Sequence, residues 1–268
     1  MRWFMLFLAP WTLLATAASF GADLGPVACD GAYPKHLQGV CADGDGSIYW
    51  SFTTELVKTD PAGKVVKRVD VADHHGDLCV VDGGVYVAVN LGKFNDPAGN
   101  ADSWVYVYDA EDLSLAARHA TPEVLHGAGG IAHDGGRFLV VGGLPDGVNE
   151  NYAYEYDGGF NFVRRHVLAS GHTHLGIQTA AFADGHWWFG CYGRPRSAAG
   201  PATPPILLKA DAALTKVERF EFDCSLGVLP IGGGKFLIAR GGHVDGNGHT
   251  GNVVSAVADD AAGLRVVD

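Results

Sequence analysis

The sequence lacks the local motifs by which the common enzyme classes are recognised. It has no G-x-S-x-G nucleophile elbow, no phosphate-binding P-loop, no dinucleotide fingerprint between a strand and a helix, and no H-E-x-x-H zinc motif. Each of these chemistries needs its residues at a fixed short spacing, so their absence argues against those designs. A catalytic site in this chain must be assembled from residues that are distant in the sequence.

Positive charge is also scarce. The 268 residues include 19 Lys and Arg against 30 Asp and Glu, which gives a formal net charge of −11, and no run of basic residues interrupts this balance. An acidic protein repels phosphate backbones and anionic headgroups, so neither nucleic acid nor a membrane surface is an expected partner. With 47% hydrophobic residues, the chain has enough apolar surface to bury a sizeable core.

The cysteines do not have the spacing of a structural zinc site. No C-x-x-C pair occurs among the five cysteines, which are Cys29, Cys41, Cys79, Cys191 and Cys224. Their odd number leaves at least one thiol unpaired within the chain. In an oxidising compartment we therefore expect one or two disulfides and a buried thiol.

The N-terminus is typical of a secretory signal peptide. Arg2 precedes an almost entirely apolar stretch over residues 3–14, and an A-T-A sequence after it provides small residues for cleavage. The stretch is short for a bilayer span and contains Pro10, although a retained signal anchor stays the alternative. We predict a signal peptide over residues 1–22 and a secreted or periplasmic mature protein that is not held at a membrane.

A repeat of about 50 residues runs through the rest of the chain. Five strand-like segments end in aspartates that are separated by 49, 48, 54 and 48 positions, namely Asp60, Asp109, Asp157, Asp211 and Asp259. A second strand-like run follows each aspartate. Each unit also begins with a hairpin whose turn is rich in Asp or Gly, as at residues 134–136. Because no 3.6-residue apolar period appears after the signal, each unit predicts four antiparallel strands.

Radially repeated four-stranded sheets form a β-propeller, whereas a β-solenoid has a shorter repeat. The chain thus resembles the β-propeller superfamily over nearly all of its mature length, without the Gly-His and Trp-Asp pattern of WD40 blades. We predict an all-β fold, a five-bladed β-propeller of four-stranded antiparallel blades, in one domain over residues 23–268. The expected blades span residues 36–71, 72–121, 122–170, 171–222 and 223–268.

Histidine recurs where the innermost strand of a blade begins, in four of the five blades. Equivalent positions in a propeller surround the central channel, so these side chains are expected to converge. Neutral imidazole is a common ligand of transition metals, and the shortage of nearby carboxylates argues against calcium. We expect a divalent transition metal (Zn, Mn or Fe) held by residues of this face: His36, His75, His126, His174 and Gln178. The alternative is that duplicated blades keep histidine for hydrogen bonds between neighbouring blades, without a metal.

The second strand of each blade returns to the same face, where the loops are rich in polar and cationic residues. Guanidinium groups bind carboxylates and phosphates in bidentate fashion, and aromatic rings at loop ends contact ligands. The expected substrate-binding residues are Lys93, Asn90, Arg194, Arg196 and Trp104. The expected catalytic residues are His172, Tyr192 and Arg240, of which a histidine or the tyrosine would transfer a proton.

These residues favour a secreted, metal-dependent lyase or hydrolase that acts on an anionic carbohydrate or a related small molecule. Some secreted propellers are similar in having a His and Gln metal site for polysaccharide elimination, which is a likeness of architecture. A monomer is expected. The alternative function is a non-catalytic module that binds a ligand or another protein on the same face.

Overall fold

The structure is a computed structural model that describes residues 24–196, 201–246 and 248–267, so the expected signal peptide lies outside the described residues. Within those ranges the chain forms twenty β-strands and no helix, and therefore no helix that is long and apolar enough to cross a bilayer. The first ten strands are β1 (Val27–Ala28), β2 (Gly39–Ala42), β3 (Ile48–Ser51), β4 (Thr53–Thr59), β5 (Val65–Val81), β6 (Gly84–Asn90), β7 (Ser103–Asp109), β8 (Leu115–Ala120), β9 (Ala128–His133) and β10 (Phe138–Gly142). The other ten are β11 (Asn151–Tyr156), β12 (Phe162–Leu168), β13 (His174–Ala183), β14 (His186–Tyr192), β15 (Ile206–Asp211), β16 (Val217–Glu221), β17 (Val228–Gly232), β18 (Lys235–Val244), β19 (Gly248–Asp259) and β20 (Gly263–Val266).

These strands form five antiparallel blades of four strands each. Blade 1 contains β2, β3, β4 and the first part of β5, whose residues 65–70 pair with β4. Residues 75–81 of the same strand pair with β6 and begin blade 2, which continues to β8. Blades 3, 4 and 5 are formed by β9–β12, β13–β16 and β17–β20. The innermost strands contact one another in the cyclic order β2, β5, β9, β13, β17 and back to β2. The prediction of an all-β propeller with four-stranded antiparallel blades is confirmed.

The ring closes through an outer strand that comes from both ends of the described chain. In blade 5, β20 pairs with residues 256–259 of β19, and β1 pairs with residues 252–253 of the same strand. The amide of Asp30, just after β1, donates a hydrogen bond to the carbonyl of Gly63 in blade 1. The first and last blades are therefore held together by the N-terminal segment.

Five hydrophobic cores fill the spaces between neighbouring blades. Each buried cluster draws side chains from two adjacent blades, and together the clusters cover all five interfaces. Trp187 and Trp188 show how one strand supplies two of them. Because successive side chains of a strand point to opposite faces, Trp187 enters the interface of blades 3 and 4, and Trp188 enters that of blades 4 and 5.

The inner strands approach one another so closely at the axis that several positions have no room for a side chain. A Cβ atom on Gly76 would collide with the carbonyl of Gly129, and one on Gly142 would collide with the carbonyl of Gly127. Glycine is needed at these positions for steric reasons.

A buried carboxylate joins three blades at this axis. Asp77 is 2% exposed, and its Oδ2 accepts a hydrogen bond of 2.8 Å from the backbone amide of Ala180 in blade 4. Backbone amides of Leu78 and Val40 also donate to the carboxylate. Burial nevertheless dominates and raises the pKa of Asp77 well above its ordinary value. The Asp77 side chain thus connects blades 1, 2 and 4.

All five cysteines are free thiols, so the expected disulfides do not form. Cys29 lies 3.1 Å from the hydroxyl of Tyr33, and the other four lie within or beside the interiors of different blades. Burial raises the pKa of the Cys191 thiol to about 12. Thiols of this kind react slowly and contribute chiefly as small apolar groups.

Replacing Gly142 by alanine tests the steric constraint at the axis. We expect Gly142→Ala to lower the free energy of unfolding by about 2–3 kcal/mol, because its new methyl group meets the backbone of a neighbouring segment rather than a movable side chain. Gly44→Ala is the matched control, since no atom lies within 4 Å of a Cβ at Gly44. Denaturant unfolding of both variants measures the difference, and equal stability of the two would contradict the constraint.

Candidate functional site

The inner strands begin at one face of the propeller, and polar residues of blades 1, 2 and 4 surround its axis there. Gln38 and His36 precede β2, His74 lies within the extended β5, and Tyr192 ends β14. These four residues come from blades 1, 2 and 4, and we call them the axial mouth. Of the five expected metal ligands, only His36 belongs to it.

The side-chain amide of Gln38 is the centre of the axial mouth. Its Nε2 lies 2.8 Å from Nε2 of His36 and 2.8 Å from Nε2 of His74. The hydroxyl of Tyr192 donates a hydrogen bond of 3.4 Å to Oε1 of Gln38. A primary amide has two N–H donors, so the amide can serve both imidazoles at once when each Nε2 carries a lone pair.

Both imidazoles of the axial mouth are neutral near neutral pH. Burial lowers the pKa of His36 and of His74, and for His36 the neighbouring His74 and His249 lower it further. Burial also raises the pKa of Tyr192 to about 12, so its phenol keeps its proton. The axial mouth therefore presents two imidazole lone pairs, one amide and one phenolic proton, with no fixed charge among them.

Two further histidines extend the axial mouth towards blade 5. The ring centroid of His249, at the start of β19, lies 6.1 Å from that of His36, and the ring of His243 lies 5.0 Å from that of His249. Neither histidine was among the expected metal ligands, because blade 5 has cysteine rather than histidine where its inner strand begins. The feature that brings these two histidines together is the pairing of β18 with β19, which places His243 opposite His249.

His75 lies inside blade 2 and does not face the axial mouth. Its Nδ1 is 2.6 Å from the carbonyl of Ala72, and its Nε2 is 2.7 Å from the hydroxyl of Tyr108. The ring also packs edge-on against Tyr106. Both ring nitrogens are thus engaged within the blade. Burial lowers the pKa of His75 to about 4.

The remaining expected metal ligands lie apart from Gln38. Nδ1 of His126 is 3.1 Å from the carbonyl of Asp96, and the amide of Gln178 donates a hydrogen bond of 2.7 Å to the carbonyl of Leu175. In the described part of the chain, no three His, Cys, Asp or Glu side chains converge closely enough to hold a metal ion. The structure therefore brings together two histidines and an amide, rather than the four histidines expected from the repeat.

Blade 4 adds a second set of polar side chains beside the axial mouth. His172 has its Nδ1 2.9 Å from the carbonyl of Val148, and its Nε2 is 3.9 Å from Asp146. Nδ1 of His174 and Nε of Arg194 are both buried, and neither has a hydrogen-bond partner among the described residues. Burial lowers the pKa of His174, and the guanidinium of Arg194 lowers it further.

Two pockets flank the paired backbones of Arg194 and Thr203. One has a volume of about 380 Å³ and is lined by residues that include His172, His174, Arg219, Phe220 and Glu221. The other has a volume of about 400 Å³ and is lined by residues that include Tyr192, Arg194, Asp223, Ser225 and Leu226. Both volumes are those of small-molecule sites. The second pocket reaches the axial mouth through Tyr192.

The other expected substrate-binding and catalytic residues hold loops in place or face solvent. Oδ1 of Asn90 accepts hydrogen bonds from the amides of Gly92 and Asp102, which orders the loop after β6. Arg240 donates to the carbonyls of Asp223 and Ala239. The indole of Trp104 donates a hydrogen bond of 2.7 Å to the carboxylate of Asp102. The amino group of Lys93 lies 3.8 Å from the carboxylate of Asp96, and Arg196 is exposed.

Comparisons with protein-family models and with curated proteins find no match. Among solved structures, glutaminyl cyclase from Myxococcus xanthus is similar over 92% of this chain and 100% of its own, with a TM-score of 0.54 and 14% identity. A protein of unknown function from Bacteroides caccae covers 90% of this chain and 93% of its own, with a TM-score of 0.49 and 12% identity. BamB from Moraxella catarrhalis covers 87% and 76%, with a TM-score of 0.40 and 13% identity. The likeness to the glutaminyl cyclase, at 14% identity, shows the propeller fold alone.

The buried His75 predicts a loss of stability in acid. Its pKa is about 4 in the folded chain against an ordinary value of 6.5, so between these values the unfolded chain binds the proton more tightly. Stability therefore falls as the pH falls from 6.5 to 4, by roughly 3 kcal/mol from this residue. We expect His75→Gln to flatten the dependence of the unfolding free energy on pH in this window. His186→Gln changes a partly exposed histidine and is the control, and an unchanged slope in His75→Gln would contradict the assignment.

Proposed function

We propose that the axial mouth is the active site of a metal-dependent lyase or hydrolase that acts on a small anionic molecule, such as a uronate. The observation that carries the proposal is the position of the Gln38 amide, 2.8 Å from Nε2 of both His36 and His74. The same contacts suit a metal site, although the expected ligands change. His36 is kept, His74 takes the place of His75, and Gln38 takes the place of Gln178.

Each of the two distances at Gln38 is compatible with a pair of ligands on one ion. Two ligands about 2.1 Å from a metal ion and at right angles to each other lie about 3.0 Å apart. A half-turn of the Gln38 amide places Oε1 where Nε2 lies, 2.8 Å from each imidazole nitrogen. Amide oxygen and nitrogen are nearly equal in size, so the turn exchanges their places without added bulk. It gives up the contact of Nε2 with Oγ1 of Thr53 and turns Nε2 towards the hydroxyl of Tyr192. His36, His74 and Gln38 then offer two nitrogens and one oxygen, which leaves coordination positions open for a substrate.

The charge state of the axial mouth supports a transition metal rather than calcium. Metal-binding histidines must be neutral, and burial keeps the pKa of His36 and His74 low. Imidazole nitrogen suits zinc, iron and manganese, whereas calcium prefers several oxygen ligands.

The bound metal would polarise a substrate carboxylate or carbonyl and stabilise the negative charge that develops on it. Tyr192 would supply the proton-transfer group, since its hydroxyl lies 3.4 Å from Oε1 of Gln38 and the residue lines the pocket of about 400 Å³. A neutral phenol can donate a proton to a leaving group. His172, which was expected to be catalytic, lies in the other pocket and would act on substrate binding.

A protein of similar fold and length that is named a glutaminyl cyclase supports an enzyme on this scaffold. Fold likeness does not transfer a reaction, so N-terminal glutaminyl peptides form one arm of the substrate screen and uronates form the other. The predicted signal peptide supports a secreted or periplasmic location. A non-catalytic ligand-binding module is the outcome that remains if neither arm shows turnover.

Metal analysis of protein purified without a chelating resin or histidine tag tests the site. We expect about one equivalent of zinc, iron or manganese in the mature protein, and loss of the metal in the His36→Ala and His74→Ala variants. His126→Ala is the matched control, because His126 precedes the inner strand of blade 3 but lies apart from Gln38. Metal-free protein that also fails to bind added Zn²⁺ and Mn²⁺ would overturn the metal proposal.

Gln38→Glu separates metal binding from simple hydrogen bonding. A carboxylate is a stronger metal ligand than an amide, so the variant should keep its metal and bind it at least as tightly as the native chain. A carboxylate cannot donate to two neutral imidazoles, and a purely hydrogen-bonded cluster should therefore lose stability in the same variant. Isothermal titration with Zn²⁺ and denaturant unfolding measure the two effects.

Once a substrate is found in either arm, Tyr192→Phe tests proton transfer. We expect kcat to fall by about 10²-fold while the metal content stays unchanged, because the phenol acts on the substrate and not on the ion. A normal kcat in this variant would show that another group transfers the proton to the substrate.

A further inference from the structure

His174, Tyr192 and Arg194 share one face of blade 4. His174 of β13 pairs directly with Tyr192 of β14, so their side chains emerge on the same side of the sheet. Arg194 follows Tyr192 by two positions and returns to that side. The backbone of Arg194 is held by hydrogen bonds of 3.0 Å and 2.9 Å with Thr203. The guanidinium of Arg194 is near enough to the imidazole of His174 to lower its pKa. His174 lines the pocket of about 380 Å³, and Arg194 lines the pocket of about 400 Å³ together with Tyr192.

Both side chains have a buried nitrogen that lacks a partner. Among the described residues, five buried side-chain atoms have no hydrogen-bond partner, and the two nitrogens among them are Nδ1 of His174 and Nε of Arg194. The two occur on one face of one blade, and bulk water does not reach them. Buried donors without partners are rare in folded proteins and commonly mark the place of a ligand or ion.

Three other cations of this face already have partners. Arg219 donates hydrogen bonds of 2.8 Å to the carbonyl of Ser170 and of 3.0 Å to the carbonyl of His172. Arg240 donates hydrogen bonds to two backbone carbonyls. Lys93 is 76% exposed and lies near Asp96. Arg194 differs from these three in that its Nε is buried without a partner.

We infer that Arg194 and His174 form a carboxylate-binding subsite, which holds the acid group of the substrate while its reacting atoms lie at Tyr192 and Gln38. The inference rests on the proposed function for the identity of the ligand as substrate. A guanidinium edge and an imidazole N–H together provide two donors for one carboxylate. The subsite favours a monoanion, because Glu221 and Asp223 line the adjoining pockets and repel a phosphate dianion.

The subsite therefore selects substrates in which the carboxylate and the reacting carbon belong to the same small unit, such as one sugar ring or one amino acid. Tyr192 and Arg194 both line the pocket of about 400 Å³, and Tyr192 contacts Gln38 at its other side. A single uronic acid unit or an amino-acid carboxylate meets this description, whereas a neutral sugar does not.

Titration of the ¹⁵N-labelled protein with sodium acetate tests the subsite directly, with Arg194 Nε–H as the reporter. We expect a saturable shift of this resonance and of the His174 ring signals, and no shift of Arg240 Nε–H. Sodium chloride at the same ionic strength and inorganic phosphate are the comparison anions. His174→Ala should weaken acetate binding by about tenfold, because one of two donors is lost.

The absence of a saturable acetate shift at Arg194 would overturn the inference. An equal response to chloride or phosphate would overturn the assignment to carboxylates. The Arg194→Lys variant, followed at His174, should bind acetate more weakly, since a lysine lacks the planar two-donor edge. Repeating the titration in the His36→Ala variant separates the two proposals. If the His36→Ala variant binds acetate but no metal, the result supports the subsite independently of the metal site. The acetate titration can therefore be interpreted even if the metal proposal fails.

Discussion

The contact between inner strands at the propeller axis is the constraint on which the rest of the structure depends. Five strands can meet around one axis only if the residues between them are small, as at Gly76 and Gly142. The carboxylate of Asp77 then binds amides from three blades in the remaining space. Because the inner strands are fixed in this way, the residues where they begin must lie close together. Gln38 meets His74 for this reason, although 36 positions separate them in sequence. It meets Tyr192, 154 positions away, because β14 ends at the face where the inner strands begin.

Much of the fold could be predicted because it is encoded in local patterns. Turn residues and Asp-terminated strands recur about every 50 residues, and each hairpin forms from neighbouring segments. The site was harder to predict, because a strand's side chains alternate and a shift of one residue reverses the direction of each. His74 and His75 are adjacent, yet the first faces the axial mouth and the second is buried against Tyr108. The expected disulfides were wrong because thiols in a β-propeller bury easily as small apolar groups, and composition does not show which of them face each other.

The axial mouth and Arg194 differ in charge: the centre is neutral and the rim is positive. The amide of Gln38 is uncharged, and burial favours the neutral form of the two imidazoles and the phenol around it. Fixed positive charge lies two residues beyond Tyr192, at Arg194. An anionic ligand is thus attracted at the rim, while the centre keeps the lone pairs that acid–base or metal chemistry requires.

The divided outer strand of blade 5 affects how the protein must assemble. Residues near 27 and near 266 complete the same sheet edge, so the ring cannot close until both are available, and closure brings together almost the longest sequence separation in the chain. Before that step β19 offers unpaired backbone groups to any other extended segment. The same groups that complete the circle are therefore the ones through which an unfinished chain would associate with a second copy. Short strands at that edge, two residues in β1 and four in β20, limit how much template such a copy would find.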